Sequence, residues 1–179
     1  MKLRIYSLYQ ENKKSLIFVF KLLLIYLVLS FFYDYVLSAY TNVDDLLINR
    51  IIEDSKSIIQ LLGFNLLPDN SIYEYHVGIE GSSGVVIGNP CNGLSLFILY
   101  IAFIFTFKGK PIAKSIWILL GIISIHFLNV VRIVALAIIV LKYPASLDFH
   151  HSYTFTLFVY AFIFALWVLR IKMYQLKKW

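Results

Sequence analysis

The sequence predicts an all-α integral membrane protein: a four-span helical bundle with an extracytoplasmic amphipathic helix and a short β-hairpin between spans one and two. Three observations predict it. The 179 residues are 60% apolar and only 15% charged, too oily for an ordinary soluble domain. Four apolar runs approach the roughly 20 residues that a helix needs to cross a bilayer. The charges between those runs alternate in sign along the chain, as the positive-inside rule requires. Residues 1–179 read as a single membrane domain with no separate globular unit and no internal repeat.

The first span covers about 16–37. It follows a basic start (Lys2, Arg4, Lys13 and Lys14 against Glu11), which raises the question of a cleaved signal peptide. The apolar run exceeds the roughly 7–15 residues of a signal core, and Phe32, Tyr33 and Tyr35 crowd its end, so a retained span is expected. Lys21 falls about two turns inside it, positioned to snorkel toward the cytoplasmic face.

The segment 39–90 holds seven acids (Asp44, Asp45, Glu53, Asp54, Asp69, Glu74, Glu80) against Arg50 and Lys56. Its first part, DDLLINRIIEDSKSIIQLL, places Leu46, Leu47, Ile51, Ile52, Ile58, Ile59 and Leu62 on one helical face. That pattern predicts an amphipathic helix resting on the outer interface or on the bundle. Its second part, SIYEYHVGIEGSSGVVIGNP, has strand-like residues broken by Gly-Ser-Ser-Gly and predicts the hairpin, with His76 a surface residue without partners.

The second span, about 91–107, is short: at roughly 1.5 Å per residue it reaches about 25 Å, against a hydrocarbon core of about 30 Å. Pro90 suits a position at or just before its helix start. A loop with Lys108, Lys110 and Lys114 leads to the third span, about 112–141, and the fourth covers about 153–169 before a tail with Arg170, Lys172, Lys177 and Lys178. The charge pattern puts both termini and the 108–114 loop in the cytoplasm, and 39–90 and 142–152 outside. The net charge of +6 is thereby topological and gives no sign of a nucleic-acid partner. Aromatic residues near the span ends read as interfacial belts.

Polar residues inside apolar spans are expensive and therefore informative. In SIHFLNVVRIV the side chains of His126, Asn129 and Arg132 fall within an arc of about 120°. His126 lies deepest and reads as a packed or hydrogen-bonded core histidine. Arg132 lies in the outer half and needs a polar cavity, with Asn129 one turn below to orient it. NPCNGLS holds the only cysteine, Cys91, and DFHHSYTF opens the fourth span with His150 and His151. The topology drawn from charge alone thus brings Cys91, Arg132 and His150/His151, from three different spans, to the outer side of the membrane.

Those residue types suit one chemistry. A helix start and a neighbouring cation both favour the nucleophilic thiolate. A histidine takes the thiol proton and returns it to a leaving amine. An arginine supplies charge where a tetrahedral oxyanion develops. Together they fit attack on an amide carbonyl through a thioacyl-enzyme. No zinc-ligand spacing, phosphate-cradling glycine loop or HExxH is present, so no metal and no cofactor is indicated.

PCNGLS at the mouth of one span, NVVRI in the next and a histidine opening the last resemble the exosortase/archaeosortase family over about 86–170, with 1–85 similar only in general character. The resemblance implies a membrane cysteine peptidase or transpeptidase of the cytoplasmic (inner) membrane of a prokaryote, with its site facing outward. Its partners would be proteins with a C-terminal motif, hydrophobic helix and basic tail. By position Cys91 is the nucleophile, Arg132 the stabilising cation and His151 the acid/base, with His150 the less favoured neighbour. The family histidine is commonly followed four residues later by glycine, where this chain has Phe155. The residues alone also admit a cysteine acyltransferase or thioesterase acting on lipid, and a non-enzymatic scaffold. The recognised motif, the acceptor and the oligomeric state carry no signal in the sequence.

Overall fold

The computed structural model describes residues 2–68 and 74–177, and side chains over 12–68 and 74–176. The side chains of Lys2, Arg4, Glu11 and Lys177, the whole of Asp69 and Lys178, and residues 71–73 of the expected hairpin lie outside those bounds.

Helix α1 (Lys2–Phe32) continues through one widened turn, Tyr33–Leu37, in which the Ser38 N–H bonds the Tyr33 carbonyl, and ends at Tyr40. Helix α2 (Val43–Leu61) has Asp44 and Asp45 in its first turn, where carboxylates complement the helix dipole. Strands β1 (His76–Val77) and β2 (Val85–Val86) pair antiparallel, His76 opposite Val86 and Val77 opposite Val85. After a single 3-10 turn, Asn89–Cys91, come α3 (Leu94–Thr106), α4 (Pro111–Lys142) and α5 (Phe155–Lys177). The chain is a mostly helical, multi-pass membrane protein. Among the described residues three helical runs are long and apolar enough to cross a bilayer: Asn12–Tyr40, Pro111–Lys142 and Pro144–Leu176.

Two expectations need correction here. The expected second span begins three residues late, because Gly93 takes a left-handed conformation (φ 83°) that breaks the helix after Cys91. The remaining 13 residues of α3 extend only about 20 Å. The expected outer loop 142–152 is instead helical in short pieces, Pro144–Ser146, Leu147–Phe149 and a second widened turn, His150–Thr154, which run directly into α5.

Among the described residues two apolar clusters hold the bundle. In the first, Ile48, Ile51, Ile52 and Ile59 of α2 pack on Val130, Ile133, Val134, Ala137 and Val140 of α4, with Val77 and Val85 of the strands. Helix α2 therefore rests on the bundle. Its buried stripe is centred on Ile48, Ile51, Ser55 and Ile59, so Leu46 and Leu62, expected inside, are 68% and 55% exposed. His126 Nε2 lies 2.9 Å from Asp54 Oδ2, and Arg50 pairs with the other oxygen of Asp54 at 3.0 Å, adding a polar clasp between α2 and α4.

The second cluster joins Phe97, Tyr100, Phe103 and Ile104 of α3 to Ile125 and Leu128 of α4 and to Val159 and Ile163 of α5. Tyr100 is admitted because α4 has Gly121 opposite: a Cβ there would lie 1.9 Å from the tyrosine ring. The Tyr100 hydroxyl donates to the Trp117 carbonyl at 3.0 Å. Phe18 of α1 packs edge-to-face with Phe103, which also stacks with Phe107 and Trp167. Leu23, Leu27, Phe31, Leu119, Ile123, Phe127, Leu157 and Phe164 remain exposed on the outer faces of the helices, as residues facing lipid are. Lys114 caps the C-terminal end of α3 by donating to the Phe105 carbonyl at 2.8 Å.

Candidate active site

The peptide around Cys91 is fixed from three directions. Pro90 restricts its turn, and the Cys91 N–H closes on the Gly88 carbonyl at 2.8 Å. From α4, Asn129 donates its Nδ2 to the Cys91 carbonyl at 2.8 Å. Gly93 makes this approach possible, since a Cβ there would lie 3.2 Å from that same nitrogen. The third direction is Asn92. Its Oδ1 accepts from the Leu94 N–H at 2.9 Å, capping α3, and its Nδ2 donates to Asp44 Oδ1. The same carboxylate oxygen accepts from Tyr33 at 2.6 Å. Asp44 is 6% and Asn92 2% exposed, so a buried polar chain ties the cysteine turn to α2 and to the widened turn of α1.

Opposite the thiol, the widened turn His150–Thr154 presents His151, whose Nε2 lies 3.3 Å from Cys91 Sγ. In that turn the Phe155 N–H reaches back to the His150 carbonyl. The irregularity rotates the chain relative to a regular helix, and such single-turn insertions recur at functional sites. Thr156 donates to the His151 carbonyl at 3.2 Å. The neighbouring His150 is turned elsewhere. It lies among Phe149 and Phe155 with Nδ1 3.2 Å from the Thr154 hydroxyl, and it does not line the cavity.

Cys91 and His151 share a cavity of about 410 Å³ with Ser95, Arg132, Ser152 and Tyr160. Its size falls within the roughly 300–1,000 Å³ of small-ligand sites. The Nε of Arg132 is buried without a hydrogen-bond partner. An unpaired guanidinium donor is costly unless a ligand oxygen meets it. The cavity thus juxtaposes a thiol, an imidazole within reach of its proton and a cation.

The comparison with protein families follows this geometry. The family model described as transmembrane exosortase matches residues 7–169. This chain belongs to the transmembrane exosortase family. The exosortase match extends well upstream of the 86–170 segment that the motifs alone suggested, taking in most of α1 and all of α2. No match was found among curated proteins or among solved structures.

Of the residues expected at the exosortase site, Cys91, Arg132 and His151 come together, and His150 does not. Asn129, expected to orient Arg132, binds the Cys91 carbonyl instead. Cys91 lies in its own turn ahead of Gly93, so the first N–H of α3 is taken by Asn92 and not by the thiol. His76, expected to be unpartnered, has its Nε2 2.8 Å from the Ser83 carbonyl across the strand turn. Sequence reasoning missed Tyr33, Asp44 and Asn92. Asn92, in an Asn-Gly pair just before an apolar run, was the available signal for a side-chain turn at the helix start.

Proposed function

We propose that this exosortase is a membrane-embedded cysteine peptidase or transpeptidase. It cleaves proteins bearing a C-terminal motif, hydrophobic helix and basic tail, and transfers the released carboxyl end to an acceptor. The contact between Cys91 Sγ and His151 Nε2 at 3.3 Å supports this reading more than any other single observation. In the proposed step the thiol proton moves to His151 as the sulfur attacks the scissile carbonyl. Arg132 stabilises the oxyanion. Collapse expels the amine of the tail peptide, which takes the proton from His151, and leaves a thioester on Cys91. An acceptor amine or water then attacks the thioester, giving up a proton to His151, and the thiol is restored.

We read the bundle as four-spanning, with α3 as the short span, both termini cytoplasmic and the site facing outward. Support comes from the lysines at 13, 14, 108, 110, 114 and 172, which lie at the span ends remote from Cys91 in chain order. The substrate's hydrophobic helix would lie beside the spans and deliver its motif to Cys91 from within the membrane.

The test is expression of Cys91→Ala beside a protein carrying such a signal. Full-length substrate should accumulate while the variant inserts normally; unchanged processing would sink the proposal. Mass analysis of the thiol trapped during turnover separates this chemistry from lipid acyl transfer, since it finds a peptide in one case and a fatty acyl chain in the other.

A further inference from the structure

At the end of the bundle remote from Cys91 lies a second cavity, of about 540 Å³, between α1, the C-terminal end of α3 and α5. Lys14, Lys21 and Lys108 line it together with the apolar side chains of Phe18, Phe107 and Ile171. Among the described residues no carboxylate lines it, and none of the three lysines is in an ion pair. Three ammonium groups around one space repel one another unless an anion joins them.

Lys21 sharpens the point. It sits seven residues beyond Lys14, about 10 Å along the helix, inside an apolar run where an ammonium is costly. Lys21 lines the same cavity as Lys14 and Lys108, so this space is one into which its long side chain can extend. Behind the cavity, Arg170 is 1% exposed, with its guanidinium 5.8 Å from the Phe107 ring centre and 5.9 Å from that of Tyr174, which also lines the space. Its Nε and Nη2 have no hydrogen-bond partner. The aromatic faces offset part of that charge, and the remaining positive potential reaches the cavity through its walls.

We propose that this cavity is a binding site for an anionic phospholipid, its phosphate held by Lys14, Lys21 and Lys108 and its acyl chains lying along α1. The apolar walls argue for a lipid over a free phosphate. The flank of α1 next to the cavity is already lipid-facing, with Phe20, Leu23 and Leu24 exposed. A basic peptide segment, such as the tail of a sorting signal, is repelled from it. Basic pockets between spans are a recurrent means of holding acidic head groups. The site is independent of the reaction at Cys91.

Native mass spectrometry of the detergent-solubilised protein tests this, with phosphatidylglycerol and phosphatidylcholine of matched chains titrated in turn. The protein should retain one phosphatidylglycerol with at least about tenfold preference, and each single Lys→Gln change at 14, 21 or 108 should weaken retention about fivefold. The double variant Lys110→Gln/Lys172→Gln, which removes charge at the same end but outside the cavity, should retain lipid as the parent does. Equal retention of the two lipids would overturn the proposal, as would equal losses in the single and the control variants, the mark of diffuse surface charge. Displacement of the lipid by sn-glycerol 3-phosphate would overturn it in favour of a soluble phosphate ligand. Single variants are compared only where they elute as the parent does, and Lys14→Arg, which keeps the charge, should keep the lipid.

Discussion

Cys91 and His151 stand 60 positions apart in the chain, yet their Sγ and Nε2 atoms lie 3.3 Å apart. Neither is placed by a regular helix. One sits in a 3-10 turn and the other in a widened turn, each just ahead of an apolar helix. Under the proposed chemistry, His151→Ala should lower cleavage about 10²–10⁴-fold, the usual share of a general acid–base, and Cys91→Ser should abolish it. His150→Ala, a change at a half-buried position outside the cavity, should stay within about twofold of the parent. Single-turnover cleavage of a signal-bearing substrate in membranes measures all three. A large loss in His150→Ala beside normal activity in His151→Ala would reverse the assignment.

Arg132 is tested by charge and by shape. Arg132→Ala should cost about 10²–10³ in turnover if it meets the oxyanion. Arg132→Lys should recover only part of that, because a point charge does not reproduce the guanidinium fork. The loss should fall on the rate constant and not on substrate affinity; a loss confined to affinity would recast Arg132 as a substrate anchor.

The buried chain Tyr33–Asp44–Asn92 acts on the cysteine turn through hydrogen bonds and does not touch the cavity. Asp44→Ala strands two donors, the buried Asn92 and the half-buried Tyr33, and should cost about 1–3 kcal/mol of stability, read as a lower thermal midpoint in detergent. Cys91 alkylation should also change in rate, since Asn92 loses the partner that holds its turn. Tyr33→Phe removes one donor and should cost less. Unaltered midpoint and labelling in Asp44→Ala would show that the turn is held by Asn129 and Gly93 alone.

Outside the spans, the Tyr75 hydroxyl donates to Asp45 Oδ1 at 2.8 Å, and chiefly this hydrogen bond raises its pKa from 10.0 to about 12. With the folded value above the unfolded one, the phenol's contribution to stability is complete below about pH 10 and is lost as pH climbs toward 12. The difference in thermal midpoint between the parent and Tyr75→Phe should therefore be constant through neutral pH and shrink above about pH 10. A difference that grows with alkali would contradict the hydrogen bond.

Much of this was legible because membrane insertion imposes one-dimensional rules. Hydropathy marks the long spans, Arg132 announces itself within one by its cost, and Cys91 and the His150/His151 pair stand out as the only thiol and a histidine pair at the mouths of two others. What stayed hidden depends on three-dimensional partnership. Asn92 and Asp44 meet across 48 positions, and an acidic residue just past a span looks the same whether solvated or buried. Asn129 was assigned to Arg132 by proximity on one helix, whereas its amide reaches across to another chain segment. The helical character of 142–152 was obscured by its polar residues and Pro144, which suits the first turn of a helix as well as a loop.

The unequal lengths of neighbouring helices have a final consequence. Helix α4 runs 32 residues and the adjacent α3 only 13, about 48 Å against about 20 Å. The two helices share the turn at 107–110, so the cysteine turn at the start of α3 stands level with Asn129 in the body of α4 and not with that helix's far end. On the four-span reading proposed above, the thiol would then lie below the outer surface of the bilayer, in the cavity walled by α4 and α5. Under the proposed chemistry a polar acceptor would reach it through that cavity, and the length of the short helix would set how deep the acceptor must go.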